Sequence, residues 1–261
     1  IVNAVLLRPL PFDEPDRLVG VRRRGDGANV ARARAEGFEI ELGAWLDRRV
    51  RAQAAYSYVR AFDRASDKDL ARVVARSRRS AQDNPHAQLK GEYDEAALLD
   101  EPLLNDPLRK HDLPPITDGA AVMVLAAGDR ARELCEKPVW IRGIDHRIES
   151  QALGSRDLTT SASTRLAAEK AGLGDPGSID LAELHAPFSH QELILTEALG
   201  LDETRTRINP SGGALASNPV MAAGLIRVGE AAARLQPGQR GVAHATSGPC
   251  LQQNLVCVLE A

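Results

Sequence analysis

The loop that decides the fold lies near the C-terminal end of the chain and reads Asn209-Pro210-Ser211-Gly212-Gly213-Ala214-Leu215-Ala216-Ser217-Asn218-Pro219. Its last two residues favour the start of a helix, because asparagine is a good N-cap and proline is tolerated at the first helical position. A helix is therefore predicted from Pro219 to about Leu235. The Asn218 amide is not a useful base near neutral pH, but it can donate a hydrogen bond to a carbonyl oxygen.

Composition favours a soluble globular protein. The 261 residues are 43% hydrophobic and 26% charged, with a formal net charge of -3. This near-neutral balance argues against nucleic acid or an anionic membrane as a partner. The longest apolar run, Ala120 to Ala127, is far shorter than the roughly 20 residues that span a bilayer. No membrane anchor is predicted.

The cysteines and histidines suggest neither a disulfide framework nor a metal site. Cys135, Cys250 and Cys257 are odd in number and lack metal-ligand spacing, and no two histidines lie four residues apart. A reducing cytoplasm and no metal are the predictions. The chain begins at Ile1 and shows no cleavable signal pattern, so it is expected to be an excerpt or a truncated reading frame.

The first residues differ from the rest, with clustered prolines and an arginine-rich stretch from Arg17 to Arg34. This pattern predicts irregular or weakly helical structure, and a solvated basic face is the favoured interpretation of the arginines over anion binding. Asn3 to Val19 resembles a segment of bacterial export permeases of the macrolide-exporter type, which indicates a fusion or assembly scar. From Trp45 to Ser80 the pattern becomes helical.

One helix is predicted with both of its ends. Ser66 is a plausible N-cap with Asp69 three residues on, and the apolar residues recur at the spacing of one buried face over 67–80. Asn84-Pro85 should end it, because the residue before proline avoids the helical conformation. The polar, proline-punctuated stretch from His86 to Pro115 predicts a loop-rich subdomain.

The second half of the chain alternates predicted strands and helices, which indicates an α/β architecture with a buried sheet. Apolar runs predict a buried strand at 120–127 and another at 139–144. Alternation predicts a half-buried strand at 179–184, and a capping box at Ser189 and Glu192 predicts a helix that Gly200 closes. The remaining elements are a helix at 166–171 ended by Gly172, and a strand pair near 241–246 and 254–259.

Four blocks, in the expected order, resemble landmarks of the thiolase superfamily, and the chain is similar to its nonstandard, sterol-carrier-type members. They are Asp69 to Gln88, Thr117 to Ala121, Glu183 to Phe188, and the opening loop followed by Ala245 to Asn254. The resemblance implies a layered α/β thiolase fold. It implies an atypical segment at 1–45, a loop domain and returning strand at 46–136, and a C-terminal core domain at 137–261. Only part of the N-terminal core domain is expected.

The same resemblance shows that the usual catalytic groups are replaced. The family reads Gly-His-Pro where this chain has Ser217-Asn218-Pro219, and the family's nucleophilic cysteine has no match here. Cys135 lies beside two carboxylates, which oppose a thiolate. The family's second cysteine, in a Cys-x-Gly motif, aligns with Gly248, while Cys250 aligns with the glycine.

The resemblance implies five site residues. His185, Asn218 and Cys250 are the candidate catalytic residues, and Ser217 and Gly248 are the candidate substrate-binding residues. Alternatives remain open for the first three: His185 caps the strand or the next helix, Asn218 only caps a helix, and Cys250 points away from the site. Among the others, Cys257 is predicted to lie in the core, and His190 and His244 are predicted to have packing or solvent roles.

The implied function is that of a thiolase-like protein of acyl-CoA or lipid metabolism, with a steroid-CoA as one possible substrate. A coenzyme A thioester is the expected substrate, with no covalently bound cofactor. Ordinary thiolysis by this chain alone is not expected. One alternative is a retro-aldol lyase subunit that works with an OB-fold partner, and another is a non-catalytic subunit or truncated product. A homo- or hetero-oligomer, such as a dimer, is expected.

Overall fold

The computed structural model describes the backbone of residues 33–47 and 50–63 and the whole of residues 66–261. The first two ranges are strands β1 (Ala33–Asp47) and β2 (Val50–Asp63), which pair in a two-stranded sheet. The prediction of irregular and then helical structure there is wrong. Residues such as Tyr56, Tyr58 and Val59 favour strands, as aromatic and β-branched side chains do. The permease-like segment Asn3–Val19 lies outside the described residues.

Two compact units divide the chain, residues 1–62 with 153–155 and residues 63–152 with 156–261. The second unit carries the helices, which are α1 (Asp67–Ser80), α2 (Glu95–Asp100), α3 (Gly128–Leu134), α4 (Ala162–Lys170), α5 (Ser189–Ala198), α6 (Gly213–Ala216) and α7 (Ala223–Arg234). Its strands are β3 (Leu103–Asn105), β4 (Leu108–Arg109), β5 (Trp140–Ile148), β6 (Leu181–Leu184), β7 (Arg207–Ile208), β8 (Arg240–Ser247) and β9 (Gln253–Glu260). The domain boundaries after residues 45 and 136 stay a prediction.

A five-stranded mixed sheet forms the core of the second unit, in the order β5-β9-β8-β6-β7. β6 runs parallel to β7 and β8, and β9 runs antiparallel to β5 and β8. Buried residues of α4 and α5, including Ala167 and Leu195, pack on one face of the sheet. Buried residues of α7, including Val228 and Ala231, pack on the other face. This layered arrangement confirms the predicted α/β class.

Several elements follow the sequence closely. α1 begins after the N-cap Ser66, whose hydroxyl accepts from the Asp69 N–H while the Asp69 carboxylate accepts from the Ser66 N–H. This reciprocal capping satisfies two helix-end donors. α4 ends before Gly172, which has a φ of 74°, the left-handed conformation that favours glycine. The antiparallel pair β8 and β9 confirms the predicted C-terminal strand pair.

The predicted strand at 120–127 is wrong. No regular secondary structure is present from 117 to 127, and Val122 and Val124 are 92% and 88% exposed. No described strand pairs with this segment, and a strand needs a neighbour for its backbone groups. Only Met123 among its residues packs against a core cluster.

Three other predictions differ in part from the structure. The helix predicted from Pro219 is α7, which begins at Ala223 after the N-cap Ala222. The expected capping box of Ser189 and Glu192 is absent, because α5 starts at Ser189 itself and Gln191 accepts from the Phe188 N–H. The predicted half-buried strand at 179–184 is β6, and all four of its residues are buried because it lies inside the sheet.

Among the residues that the structure describes, no helix has both the length and the apolar character needed to cross a membrane.

Candidate functional site

The glycine-rich turn is held by Asn209, the residue directly after β7. Asn209 has a φ of 46°, an uncommon conformation outside glycine that asparagine tolerates. Its side-chain oxygen accepts from the Leu184 N–H at 2.6 Å, and its Nδ2 donates to the Glu192 carboxylate at 2.5 Å. The side chain therefore links the turn both to β6 and to α5.

A buried ion pair is hydrogen-bonded to the turn. Glu183 on β6 and Arg227 on α7 are 0% and 2% exposed, and Arg227 Nη1 lies 2.7 Å from Glu183 Oε2. The same carboxylate accepts from the Ser211 N–H at 2.8 Å and the Ser211 hydroxyl at 2.7 Å. The ion pair is therefore hydrogen-bonded to the turn, as buried charges require.

Helix α1 and the segment after it also form hydrogen bonds to the turn. The Ser77 hydroxyl donates to the Gly212 carbonyl at 2.5 Å, and Arg78 donates to the Leu215 carbonyl. Asn84 Nδ2 donates to the Ser211 carbonyl at 2.9 Å. These contacts join residues more than 120 positions apart in sequence, so the turn is a tertiary structure and not a local one.

Gly212 lies where the turn and the segment after α1 approach each other closely. Its φ is 92°, and a Cβ there would lie 2.6 Å from Ala81 Cβ and 2.7 Å from Ala216 Cβ. We expect Gly212→Ala to lower the free energy of unfolding by about 2–4 kcal/mol, since backbone strain and overpacking both oppose it. Urea unfolding followed by circular dichroism measures the loss.

The matched control is Gly229→Ala in α7, where an added Cβ meets nothing within 4 Å. Alanine there should stabilise the protein by about 0.5–1 kcal/mol through helix propensity. Equal effects of the two substitutions would show that the turn is not close-packed.

The candidate residues His185 and Asn218 lie in contact with each other. His185 follows β6 and is 6% exposed, and Asn218 is 5% exposed. His185 Nε2 lies 3.2 Å from Asn218 Oδ1, and His185 Nδ1 accepts from the Thr246 N–H at 3.3 Å. Because Nδ1 accepts a backbone hydrogen bond, Nε2 carries the proton and donates it to the Asn218 oxygen.

The imidazole of this pair is neutral at physiological pH. Burial lowers the pKa of His185 to about 4, although the hydrogen bond to Asn218 opposes the shift. Both ring nitrogens are occupied by Asn218 and Thr246. In this arrangement His185 fixes the orientation of the Asn218 amide and has no free lone pair with which to take up a substrate proton.

Asn218 keeps one donor available. Its N–H donates to the Thr117 hydroxyl at 3.1 Å and its Oδ1 is taken by His185. Its Nδ2 donates to no acceptor within the described part of the chain, and this atom is not fully buried. Because α7 begins at Ala223, the interpretation of Asn218 as only a helix cap is wrong.

A cleft of about 540 Å³ lies beside this pair. Ser217 and Pro219 line it, together with the Asp118–Met123 segment and α7. Asn218 is absent from the lining because its side chain turns towards His185. The structure thus places the candidate Ser217 at the cleft, while the side chain of the adjacent Asn218 contacts His185.

Cys250 and Gly248 lie in a separate turn. Cys250 is exposed with a φ of 51°, and Arg156 donates to the carbonyls of Pro249 and Cys250 at 3.0 Å. No contact joins Cys250 to His185 or Asn218 within residues 66–261. Gly248 has a φ of 74°, and a Cβ there would lie 2.5 Å from Gln252 Oε1. A cysteine at 248 would therefore be strained.

The other thiols and histidines have structural surroundings. Cys257 is buried in the core, as predicted, and burial raises the pKa of its thiol to about 11. Cys135 is exposed. His244 is fully buried, and its Nε2 lies 2.9 Å from Asn254 Oδ1. The ring of His190 lies 5.8 Å from that of Phe188. No group of three potential metal ligands forms among the described residues.

The residues that hold the site were not predicted from the sequence. Glu183, Glu192 and Arg227 bind the turn through buried contacts, and Thr117 accepts from the Asn218 N–H. A charged residue within an apolar strand pattern, as at Glu183, was the available signal, since a buried charge requires a partner.

Comparison with known proteins gives one consistent group of relatives. The chain is 33% identical to an acetyl-CoA acetyltransferase of Methanothermobacter thermautotrophicus over 69% of this chain and 53% of that protein. It is 27% identical to the benzoylsuccinyl-CoA thiolase subunit BbsB of Thauera aromatica, over 73% and 57%. It is 29% identical to bovine (Bos taurus) sterol carrier protein 2, over 66% and 38%. The chain spans about half the length of the curated relatives it matches. No family model matches it.

Solved structures show the same fold at low identity. An SCP2-thiolase-like protein type 1 from Mycobacterium smegmatis gives a TM-score of 0.58 at 19% identity, over 74% of this chain and 46% of that one. An Ltp2-ChsH2(DUF35) aldolase gives 0.61 at 18%, over 76% and 59%. The Acat5 thiolase from Ascaris suum in complex with coenzyme A gives 0.58 at 22%, over 75% and 56%.

Proposed function

The chain belongs to the thiolase superfamily, and we propose that it binds a coenzyme A thioester without catalysing ordinary thiolysis on its own. The observation that carries the proposal is the free Nδ2 of Asn218, which His185 orients from a buried position. A carbonyl oxygen accepts such a donor, and a thioester offers one. The names of the curated relatives support an acyl-CoA substrate.

The absence of a base in this pair supports the second half of the proposal. Thiolysis needs a thiolate to carry the acyl group and a base to activate the second reactant. His185 is neutral with both nitrogens occupied, and an amide stands at 218. Within the described residues, the exposed Cys250 touches neither of them.

A direct assay tests that half. Purified protein is incubated with acetoacetyl-CoA and free coenzyme A, and the loss of acetoacetyl-CoA is followed. We expect no turnover above the buffer blank. Thiolysis above the blank would contradict the proposal, and its loss or survival in Cys250→Ala would show whether the exposed Cys250 thiol takes part.

Binding tests the first half. We expect Asn218→Ala to weaken acetoacetyl-CoA binding about 5- to 10-fold, which is the value of one lost hydrogen bond to an uncharged acceptor. Binding of free coenzyme A, which has no thioester carbonyl, should change less than twofold. Isothermal titration calorimetry measures both ligands.

The matched control is Asn105→Ala, the same substitution at an exposed position of β3. It should leave both affinities unchanged. An equal loss for acetoacetyl-CoA and free coenzyme A in Asn218→Ala would show that the residue supports the site and does not contact the carbonyl.

A retro-aldol lyase subunit is the second candidate, and the fold likeness to an Ltp2-ChsH2(DUF35) aldolase favours it. Polarisation of a carbonyl by Asn218 suits bond cleavage beside that carbonyl as well as thioester binding. Under this proposal the chain works with an OB-fold partner in a hetero-oligomer, and a steroid-CoA is one possible substrate. Co-expression with the neighbouring genes and co-purification test it. A monomer with no bound protein favours the thioester-binding proposal over this one.

A further inference from the structure

Two chain segments lie side by side at Asn218, although about one hundred residues separate them. The Asn218 N–H donates to the Thr117 hydroxyl oxygen at 3.1 Å. Two residues after Thr117 and one residue after Asn218, a Cβ on Gly119 would lie 2.7 Å from Pro219 Cγ. Glycine at 119 therefore permits the close approach that brings Thr117 to the backbone of Asn218.

The Thr117 hydroxyl accepts a hydrogen bond, but its own hydrogen is not used in that contact. A hydroxyl has one hydrogen to donate and two lone pairs, and the contact with the Asn218 N–H uses only a lone pair. No acceptor for that hydrogen is present in the described part of the chain, and Thr117 is only half-buried. The Thr117 O–H and the Asn218 Nδ2 are thus two unused donors on contacting residues.

We propose that Thr117 is a second donor to the substrate carbonyl, acting beside Asn218 Nδ2. A carbonyl oxygen has two lone pairs and accepts two donors at once. The proposal rests on the thioester-binding function proposed above and extends it to a residue outside the candidate set. Because Asn218 and His185 are 5% and 6% exposed, little water competes for the hydrogen bond from Asn218 Nδ2. The step is binding only, and no covalent bond changes.

Three variants test the proposal with acetoacetyl-CoA and free coenzyme A as probes. Thr117→Val keeps the shape but removes the hydroxyl, and we expect it to weaken acetoacetyl-CoA binding about 5- to 10-fold. Thr117→Ser restores the hydroxyl and should bind within about twofold of the unmodified protein. Binding of free coenzyme A should stay within about twofold in both. A loss in Thr117→Ser equal to that in Thr117→Val overturns the proposal.

The double variant Thr117→Val/Asn218→Ala separates contact from positioning. If Thr117 donates to the substrate, Thr117→Val weakens acetoacetyl-CoA binding further even when Asn218 is already alanine. If Thr117 only positions Asn218, it has no further effect in that background, and the proposal is wrong.

A spectroscopic measurement gives a readout that a purely structural role does not change. In the infrared spectrum of acetoacetyl-CoA bound to the unmodified protein, the stretching frequency of a ¹³C-labelled thioester carbonyl should be lowered by hydrogen bonding. Part of that shift should vanish in Thr117→Val and return in Thr117→Ser. An effect of Asn218→Ala without one of Thr117→Val overturns this inference alone, whereas no carbonyl-specific binding in any variant overturns the proposed function.

Discussion

Between pH 7 and pH 4 the protein should lose on the order of 6 kcal/mol of unfolding free energy to two buried histidines. Burial lowers the pKa of His185 to about 4 and that of His244 to about 3. In the unfolded chain both imidazoles titrate near a pKa of about 6.5. A lowered folded pKa means that the unfolded state binds protons first, so the stabilisation is complete above pH 6.5 and is lost as the pH falls towards 4 and 3.

The surroundings of both histidines favour the neutral imidazole, which is why protonation destabilises the folded state. His185 donates from Nε2 to Asn218, and His244 Nε2 lies 2.9 Å from Asn254 Oδ1. Asn254 Nδ2 donates to the Leu251 carbonyl, which fixes Oδ1 as the acceptor from His244. His244 Nδ1 is buried and has no hydrogen-bond partner among the described residues, so protonation there would place a charge in the core without a partner.

Urea unfolding from pH 4 to pH 8 measures the effect, and His185→Gln and His244→Gln assign it. Glutamine can still donate to the neighbouring asparagine but does not titrate. Each variant should reduce the slope of unfolding free energy against pH by up to about 1.4 kcal/mol per pH unit, the value of one proton. His146→Gln, at an exposed position, is the control and should keep the original slope. Unchanged slopes in all three would show that the buried histidines do not titrate in this range.

Local signals in the sequence predicted those elements whose terminal backbone groups are hydrogen-bonded by neighbouring residues. The cap of α1 uses Ser66 and Asp69, and both partners lie within one helical turn of each other. The run of β-branched and apolar residues in β9 predicted a strand in the same way. The α/β class could therefore be predicted from spacing alone, and the resemblance to thiolases indicated how these elements are arranged.

The signals failed where a residue has a distant partner. Asn218 has the sequence of a helix cap, but its groups contact His185 and Thr117, 33 and 101 positions away. Ser189 donates to Asp112 and Glu192 accepts from Asn209, so neither is available for a local capping box. A side chain has few hydrogen-bonding groups, and a tertiary partner removes them from local use. The sequence pattern records only the local possibility.

The second large effect concerns the buried pair of Glu183 and Arg227. We expect Arg227→Met to lower the free energy of unfolding by about 3–5 kcal/mol, because it leaves the Glu183 carboxylate buried without its counter-charge. Glu183 is 0% exposed, and after the substitution the hydrogen bonds that remain to its carboxylate within the described residues are those from the N–H and hydroxyl of Ser211. The loss should be accompanied by weaker acetoacetyl-CoA binding, since Ser211 lies in the turn that leads to Asn218. Urea unfolding and calorimetry measure the two quantities.

The double variant Glu183→Gln/Arg227→Met shows whether the loss arises from an unpaired charge or from lost packing. Glutamine keeps an oxygen that can accept from Ser211 but carries no charge. If the uncompensated carboxylate is the cause, the double variant is more stable than Arg227→Met alone, because replacing both members of a buried ion pair costs less than removing one. If the two losses simply add, the pair contributes mainly packing, and the turn must be held chiefly by Asn209, Ser77 and Asn84. In that case Gly212→Ala would be the more damaging substitution of the two.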